Sequence, residues 1–510
     1  KMNMPEVNLY IVTVGIASIF LLYYNFYIGV LFFIGFLYMV INNWKTTNIR
    51  RKEWTNYIQN LSLDIDETTK KAVMNLPIPL CILEFDGSIT WYNGKFNTMI
   101  GEDDLLGVNI DDLIKNLNLR KVLNENKESI SRRAGQELHV KYVLDLRDFP
   151  GQPVEKVLVH DYEQIVSDPE VDIVVEVMGG VEPAYTFVKK ALLAGKNVCT
   201  SNKALVAKHG RELMDIAKEK SINFLFEASC GGGIPIIRVI NSSLTGDEID
   251  EVTGILNGTT NYMLYKMSTE GCEFDTVLKE AQQKGYAEAD PTADVEGYDA
   301  CRKIAILSSL AYERYFDFED IYTEGITKIT VEDMKYAKAM GTTIKLLASS
   351  RRYAGNRLHA IVAPCMLYPE HPLYNVNDVF NAIFVHGNVL GDAMFYGSGA
   401  GKLPTASAVV ADVVDEAKHL NRNIMTMWKE EKLQLEDKAD SKRRFFVRIK
   451  GKEEELVPQL KESYGEIEVV KVPELEGEFG FVTPVMMEGD YETRSKLYKE
   501  QIVHMIRIQD

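Results

Sequence analysis

The chain has 510 residues, enough for about three or four domains, and its 46% apolar content excludes wholesale disorder. A net charge of −17 argues against non-specific nucleic-acid binding, which needs a basic surface. The six cysteines (Cys81, Cys199, Cys230, Cys272, Cys301 and Cys365) form no CxxC pair, so zinc and redox motifs of that kind are absent and reduced thiols in a cytoplasmic portion are expected. The first residue is Lys1 rather than Met, so the natural start is expected further upstream.

Residues 9–41 are almost continuously apolar and aromatic. As one helix they would run about 50 Å, more than a hydrocarbon core of ~30 Å requires. Asn25 lies near the middle, so two short spans, 9–24 and 26–41, are predicted to form a transmembrane hairpin within residues 1–52. Lys45, Arg50, Arg51 and Lys52 follow, which places that end in the cytoplasm. Residues 79–83 and 89–93 read as strands around the turn 84–88, with a short helix over 95–100. This resembles the first half of a PAS domain over 53–120. With the hairpin it resembles the start of membrane-bound cyclic-di-AMP phosphodiesterases, although that family's DHH motifs do not follow.

From about Lys121 strands and helices alternate. Residues 139–145, 171–177, 197–200 and 223–227 are short apolar runs, separated by amphipathic stretches such as 184–194 and 210–220. That alternation implies an α/β fold with a parallel sheet and crossover helices. Residues 421–442 are polar and charge-rich and read as a linker. Residues 443–510 then give strand 445–449, helix 453–464, strands 467–472 and 480–485, helix 491–500 and strand 503–508, a ferredoxin-like βαββαβ unit.

The segment Gly285-Tyr286-Ala287-Glu288-Ala289-Asp290-Pro291, followed by Asp294, Gly297, Asp299 and Lys303, carries the strongest chemical signal. Asp290-Pro291 marks a turn before a helix, and Asp299 and Lys303 are four apart on one helix face. A carboxylate there can hold the ammonium in place, and Glu288 could reach the same pocket from its loop. Such a set suits a substrate with an ammonium group and a reducible carbonyl. Taken alone, an Asp/Lys pair at this spacing is more often a surface ion pair.

Other glycine-bearing turns share the chain. Residues 254–262 read as a strand entering the turn Asn257-Gly258-Thr259 and then a helix. Thr200-Ser201-Asn202-Lys203 follows a strand where ligands bind in doubly wound sheets, and Gly179 and Gly180 end another strand. Glu227 precedes Cys230-Gly231-Gly232-Gly233-Ile234, a hard-oxygen setting suited to an alkali cation. Gly397 to Lys402 contains Gly399 and Gly401 and precedes a helix over 404–420, but lacks P-loop spacing. The eight histidines form no spaced cluster.

Together these strings resemble the homoserine dehydrogenases, from about Lys121 to the end. The resemblance implies a Rossmann-like domain over 121–240, a catalytic and dimerisation domain over 241–420, and an ACT domain over 443–510. It implies reduction of aspartate 4-semialdehyde to homoserine with NADP or NAD, in a homo-oligomer. Lys303 is then the proton donor, Asp299 orients it, Glu288 and Asp294 bind substrate, and Lys203 is a second active-site lysine near cofactor and substrate. Gly179, Gly180, Asn257, Gly258, Thr259, Gly399 and Gly401 line the cofactor. Glu227 and the backbones of Cys230, Gly232 and Ile234 hold a sodium or potassium ion. Threonine is the family's usual effector for such an ACT domain.

The chain departs from the family in one respect. No strand with a GxGxxG turn precedes Asp145, where the pyrophosphate should be seated on a helix N-terminus. Residues 121–127 read as the end of the helix that should follow that turn. The join with the N-terminal segment falls near 119–123, so the Rossmann-like sheet is expected to lack its first strand. Asp145 and Arg147 end the second strand, and their pairing leaves NAD against NADP open. The alternative reading is a membrane-anchored sensor with an inactive dehydrogenase portion.

Overall fold

A computed structural model of the chain describes the backbone of residues 81–83 and 89–92, and residues 125–150, 153–353 and 357–509. It divides into two units, Lys1–Asn116 and Leu117–Asp510. In the first, strands Cys81–Leu83 and Ile89–Tyr92 pair antiparallel with Cys81 opposite Tyr92, as the run–turn–run pattern predicts. The apolar run 9–41, the helix expected at 95–100 and the join near 119–123 lie outside the described residues. Among the described residues no helix is long and apolar enough to cross a membrane.

The second unit opens with α1 (Lys127–Ala134), β1 (Val143–Leu144), β2 (Leu158–Val159) and α2 (Tyr162–Ser167). There follow β3 (Ile173–Glu176), α3 (Ala184–Leu193), β4 (Asn197–Thr200), α4 (Lys203–Glu219) and β5 (Phe224–Leu225). The expected alternation is present and every strand pair is parallel. The predicted strand at 139–145 shrinks to two residues, and α1 extends past residue 127. Among the described residues the strands fall into two sets, β1–β2 and β3–β4–β5. In a Rossmann sheet the first strand lies between the second and fourth, the places held here by β1 and β3. The helix expected from 210 starts at Lys203, because the Asn202 side chain accepts from the Leu205 amide at 3.1 Å and caps it.

The remainder is built on one mixed sheet. Its elements are β6 (Ile249–Ile255), α5 (Gly258–Glu270), α6 (Phe274–Gln283), α7 (Tyr298–Ala311), α8 (Val331–Ala339), β7 (Thr343–Tyr353), β8 (Arg357–Leu367), β9 (Phe380–Gly387), β10 (Gly391–Ser398) and α9 (Lys402–Lys418). The C-terminal residues add β11 (Lys442–Lys450), α10 (Glu453–Tyr464), β12 (Glu468–Val470), β13 (Glu478–Val482), α11 (Glu488–Ser495) and β14 (Ile502–Gln509). The strand order is β10-β9-β6-β7-β8-β14-β11-β13-β12.

Within the C-terminal part this is the fourth-first-third-second order of a ferredoxin-like βαββαβ unit. Two expectations change. Residues 443–510 share a sheet with the catalytic part, because β14 runs parallel to β8 from Cys365 opposite Arg507 to Leu367 opposite Gln509. The stretch expected as a linker is also packed: Lys429–Lys432 pairs with Arg314–Tyr315, and Trp428 and Leu433 are buried. Hydrophobic burial of those two side chains outweighs the polar character of their neighbours.

Helix α7 is buried along most of its length and packs against α4, β6 and β7. It starts after Gly297, whose φ of +83° is a conformation that side-chain-bearing residues rarely adopt and which lies close to Thr323 and Val362. That start fixes where Asp299 and Lys303 sit.

Candidate active site

Asp299 and Lys303 lie on the first turns of α7, both buried, with the ammonium 2.8 Å from Asp299 Oδ2. The predicted helical spacing therefore produces the predicted pair. Lys203, the first residue of α4, pairs with the other oxygen, Asp299 Oδ1. One carboxylate thus holds two lysines from two domains. Burial opposes ionisation of Asp299, but the flanking Lys303 and Lys203 ammonium groups hold it far below the usual carboxylate range. Burial also pulls Lys203 down, and the Asp299 charge more than offsets it, leaving the amine above its ordinary value. Lys303 donates in addition to the Leu256 carbonyl at 2.8 Å, at the end of β6.

Asp294 joins this cluster through Asn257, whose amide nitrogen is 2.7 Å from Asp294 Oδ1 and 2.9 Å from Asp299 Oδ2. Burial, then the like charge of Asp299, push Asp294 above the usual carboxylate range. Glu288 is exposed in the loop before Asp290, and its backbone carbonyl accepts from Gln282 at 3.0 Å. Thr259 Oγ1 donates to the Tyr286 carbonyl at 2.6 Å, tying the start of α5 to that loop. Gly258, the first residue of α5, has no space for a Cβ because the Val379 carbonyl approaches it.

The end of β3 supplies an unforeseen group. Glu176 is buried and accepts from Thr200 Oγ1 and from the Met178 amide, the latter at 2.6 Å. Burial raises its pKa. The Asn202 amide nitrogen donates to the Gly180 carbonyl at 2.6 Å, and its backbone amide donates to Thr200 Oγ1 at 2.9 Å. Glu176, Thr200 and Asn202 thereby connect the Gly179-Gly180 turn to the residue before Lys203. A lone carboxylate closing an apolar run was the signal in the sequence, since such a group is buried only with bonding partners. Gly179 has open space around it, which suits close approach of a dinucleotide. The second-strand pair expected to read the ribose is engaged with itself, Arg147 donating to Asp145 at 2.9–3.0 Å through its side chain.

The two remaining glycine turns meet. A Cβ on Gly232 (φ +56°) would strike the backbone of Gly399, and the Gly233 amide donates to the Ser398 carbonyl at 3.0 Å. Gly399 in turn lies against Asn381, with no room for a side chain, and Gly401 (φ +116°) caps α9. Glu227 accepts from the amides of Ile236, Ile237 and Arg238 at 2.6, 2.8 and 2.7 Å, so both carboxylate oxygens are occupied. A cation in this turn would rest on main-chain carbonyls, with the Glu227 carboxylate organising the loop instead of facing the ion. Cys230 is fully buried, and burial pushes its thiol up to about 12, so little thiolate forms near neutral pH. Arg238 pairs with Asp412 at 2.7 Å and Asp415 at 3.0 Å, fastening this turn to α9.

The histidines act structurally where they bond, as in His504 with Asp333 at 2.8 Å. Among the described residues no group of three or more His, Cys, Asp or Glu side chains is arranged to hold a metal ion.

The family models described as the homoserine dehydrogenase NAD binding domain and homoserine dehydrogenase match residues 113–227 and 235–414. The homoserine dehydrogenase of Bacillus subtilis (strain 168) is 42% identical over 311 residues, 60% of this chain and 71% of that protein. That of Synechocystis is 49% identical over 263 residues, 51% of this chain and 61% of the relative. The solved homoserine dehydrogenase of Thiobacillus denitrificans superposes with a TM-score of 0.69 at 35% identity, covering 77% of this chain and 95% of its own. The Staphylococcus aureus enzyme gives 0.63 at 32% identity with the same coverage. With its lysine-flanked carboxylate set beside a parallel-sheet nucleotide domain, the chain belongs to the homoserine dehydrogenase family of NAD(P)-dependent oxidoreductases.

Proposed function

We propose that the Lys203–Asp299–Lys303 cluster is where this chain reduces the aldehyde of aspartate 4-semialdehyde to the alcohol of homoserine. The observation that carries the reading is one buried carboxylate holding two lysines, one from each side of the domain boundary. A bound reduced nicotinamide supplies the hydride. Lys303, held by Asp299 and the Leu256 carbonyl, gives its proton to the aldehyde oxygen as that oxygen gains charge. Lys203 keeps its charge and draws the carbonyl or the substrate carboxylate towards α4. Asp294 and Glu288 attract the substrate ammonium, Glu288 from its exposed loop.

The cofactor lies against Gly179, Gly180, Gly399 and Gly401, near the start of α5 at Asn257, Gly258 and Thr259. The sequence carries no GxGxxG turn ahead of Asp145 to receive the pyrophosphate, which supports weak cofactor binding in this chain. A sodium or potassium ion is held by the carbonyls of Cys230, Gly232 and Ile234 in the loop that Glu227 organises. The βαββαβ order of residues 442–509 supports an amino-acid effector site, with threonine as the candidate ligand. The exposed Met394 and Tyr396 on edge strand β10 support pairing with a second copy. The apolar run 9–41 supports attachment to a membrane.

The test is oxidation of NADPH and NADH by the full chain with aspartate 4-semialdehyde, beside a version whose residues before Lys121 are replaced by a strand and a GxGxxG helix start. Turnover only in the repaired version supports the assigned cluster and the weak cofactor site. Turnover in both refutes the weak cofactor site, and turnover in neither refutes the assigned cluster.

A further inference from the structure

Asn257 is 6% exposed and sits between β6 and α5, where its side chain has two jobs. Its Oδ1 accepts from the Thr260 amide at 2.9 Å and from Thr260 Oγ1 at 3.0 Å, capping α5. With the oxygen committed to the cap, the amide nitrogen has to face the other way. There it meets Asp294 Oδ1 and Asp299 Oδ2 and spends both hydrogens on them. The orientation of this amide is therefore set by the helix, and the orientation of the two carboxylates is set by the amide.

We infer that Asn257 is the positioning residue that aims the Asp299 carboxylate at both lysines and keeps Asp294 apart from them. Asp299 Oδ2 receives Asn257 and Lys303, while Oδ1 is turned to Lys203. Without the amide, the carboxylate can rotate and leave one ammonium unpaired. Asp294, freed from the same donor, can approach an ammonium and compete for it. No residue with a negative or positive side chain could fill this place. A carboxylate would add a third like charge, and an ammonium would pair with Asp299 itself. A helix cap alone needs only the acceptor, so the donor half of the side chain is what the site uses.

This inference rests on the cluster assigned above but can be read without turnover. Asn257→Ser and Asn257→Thr keep a capping oxygen but replace the two amide hydrogens with one hydroxyl hydrogen on a shorter side chain, which cannot hold both carboxylates, whereas Asn257→Ala loses cap and donors alike. Full-length chains would be reductively methylated with formaldehyde and borohydride at pH 8, and labelling of Lys203 and Lys303 followed by peptide mass spectrometry. The Ser and Thr variants should keep the cap yet label at least one lysine roughly tenfold faster than the parent chain. Parental labelling rates in both cap-keeping variants, with faster labelling only in Asn257→Ala, would reduce Asn257 to a helix cap and overturn the inference. Absence of turnover in the parent and repaired chains bears on the proposed reaction and leaves the labelling result standing.

Discussion

The Asn202 side chain donates to the Gly180 carbonyl at 2.6 Å while its oxygen caps α4, whose first residue is Lys203. One side chain thereby joins the turn at the end of β3 to the lysine that pairs with Asp299. Replacing Asn202 with Ala should cost about 1 kcal/mol for the lost cap. It should also loosen the Gly179-Gly180 turn. Thermal unfolding and cofactor titration check both effects, and the repaired chain should show weaker cofactor binding as well as lower stability.

Lys303→Met removes the proton donor while keeping an apolar side chain of similar length. At saturating cofactor and substrate, kcat of the repaired chain should fall about 10²–10⁴-fold, the usual contribution of a positioned acid. Lys303→Arg should rescue little, because guanidinium holds its proton too strongly. Steady-state kinetics with aspartate 4-semialdehyde provide the comparison.

Asp299→Asn leaves Lys203 and Lys303 without their shared counter-charge in a buried site. Breaking a buried pair in this way costs about 3–5 kcal/mol. Urea unfolding should show a lower midpoint, and adding Lys303→Met should recover part of the loss by removing one unpaired charge.

Stability should decline as pH rises through neutrality because of the acids on α9. Burial and the nearby Glu227 carboxylate push Asp412 up to about 8 from an ordinary 3.8, in spite of Arg238. The folded chain keeps a proton that the unfolded chain has already lost across this interval. Its contribution is complete below pH 3.8, is lost as pH rises towards about 8, and changes no further above that. Glu416, fully buried with neither oxygen hydrogen-bonded, is raised in the same direction. Asp412→Asn should flatten the dependence between pH 5 and 8, as read from urea midpoints.

Arg507 is buried and bonds Glu488 at 2.6 and 3.1 Å and Glu324 at 2.7 Å, bridging β14 and the catalytic part. Arg448 and His504 meet Asp333 of α8 at 3.1 and 2.8 Å across the same boundary. Because the sheet is also continuous there, residues 442–509 and the catalytic part should unfold in one calorimetric transition. Arg507→Met should lower that transition by an amount equivalent to about 3–5 kcal/mol, since two carboxylates lose their partner.

The sequence by itself determined the family, the alternation of the nucleotide-binding part, the βαββαβ order of the C-terminal part and the pairing of Asp299 with Lys303. Those are local: period, turn residues and a four-residue helical spacing act between neighbours in the chain. Helix α10 appears at its predicted bounds for the same reason. Only the tertiary structure decided the rest. Lys203 reaches Asp299 across 96 positions, Asn257 bonds carboxylates 37 and 42 positions away, and Gly232 is pressed against Gly399. The 421–442 stretch looked like a linker because its polar residues outnumber Trp428 and Leu433, whose burial fastens it. The joining of β14 to β8 was equally hidden, since an unpaired strand edge carries no mark in its side chains showing which backbone will complete it.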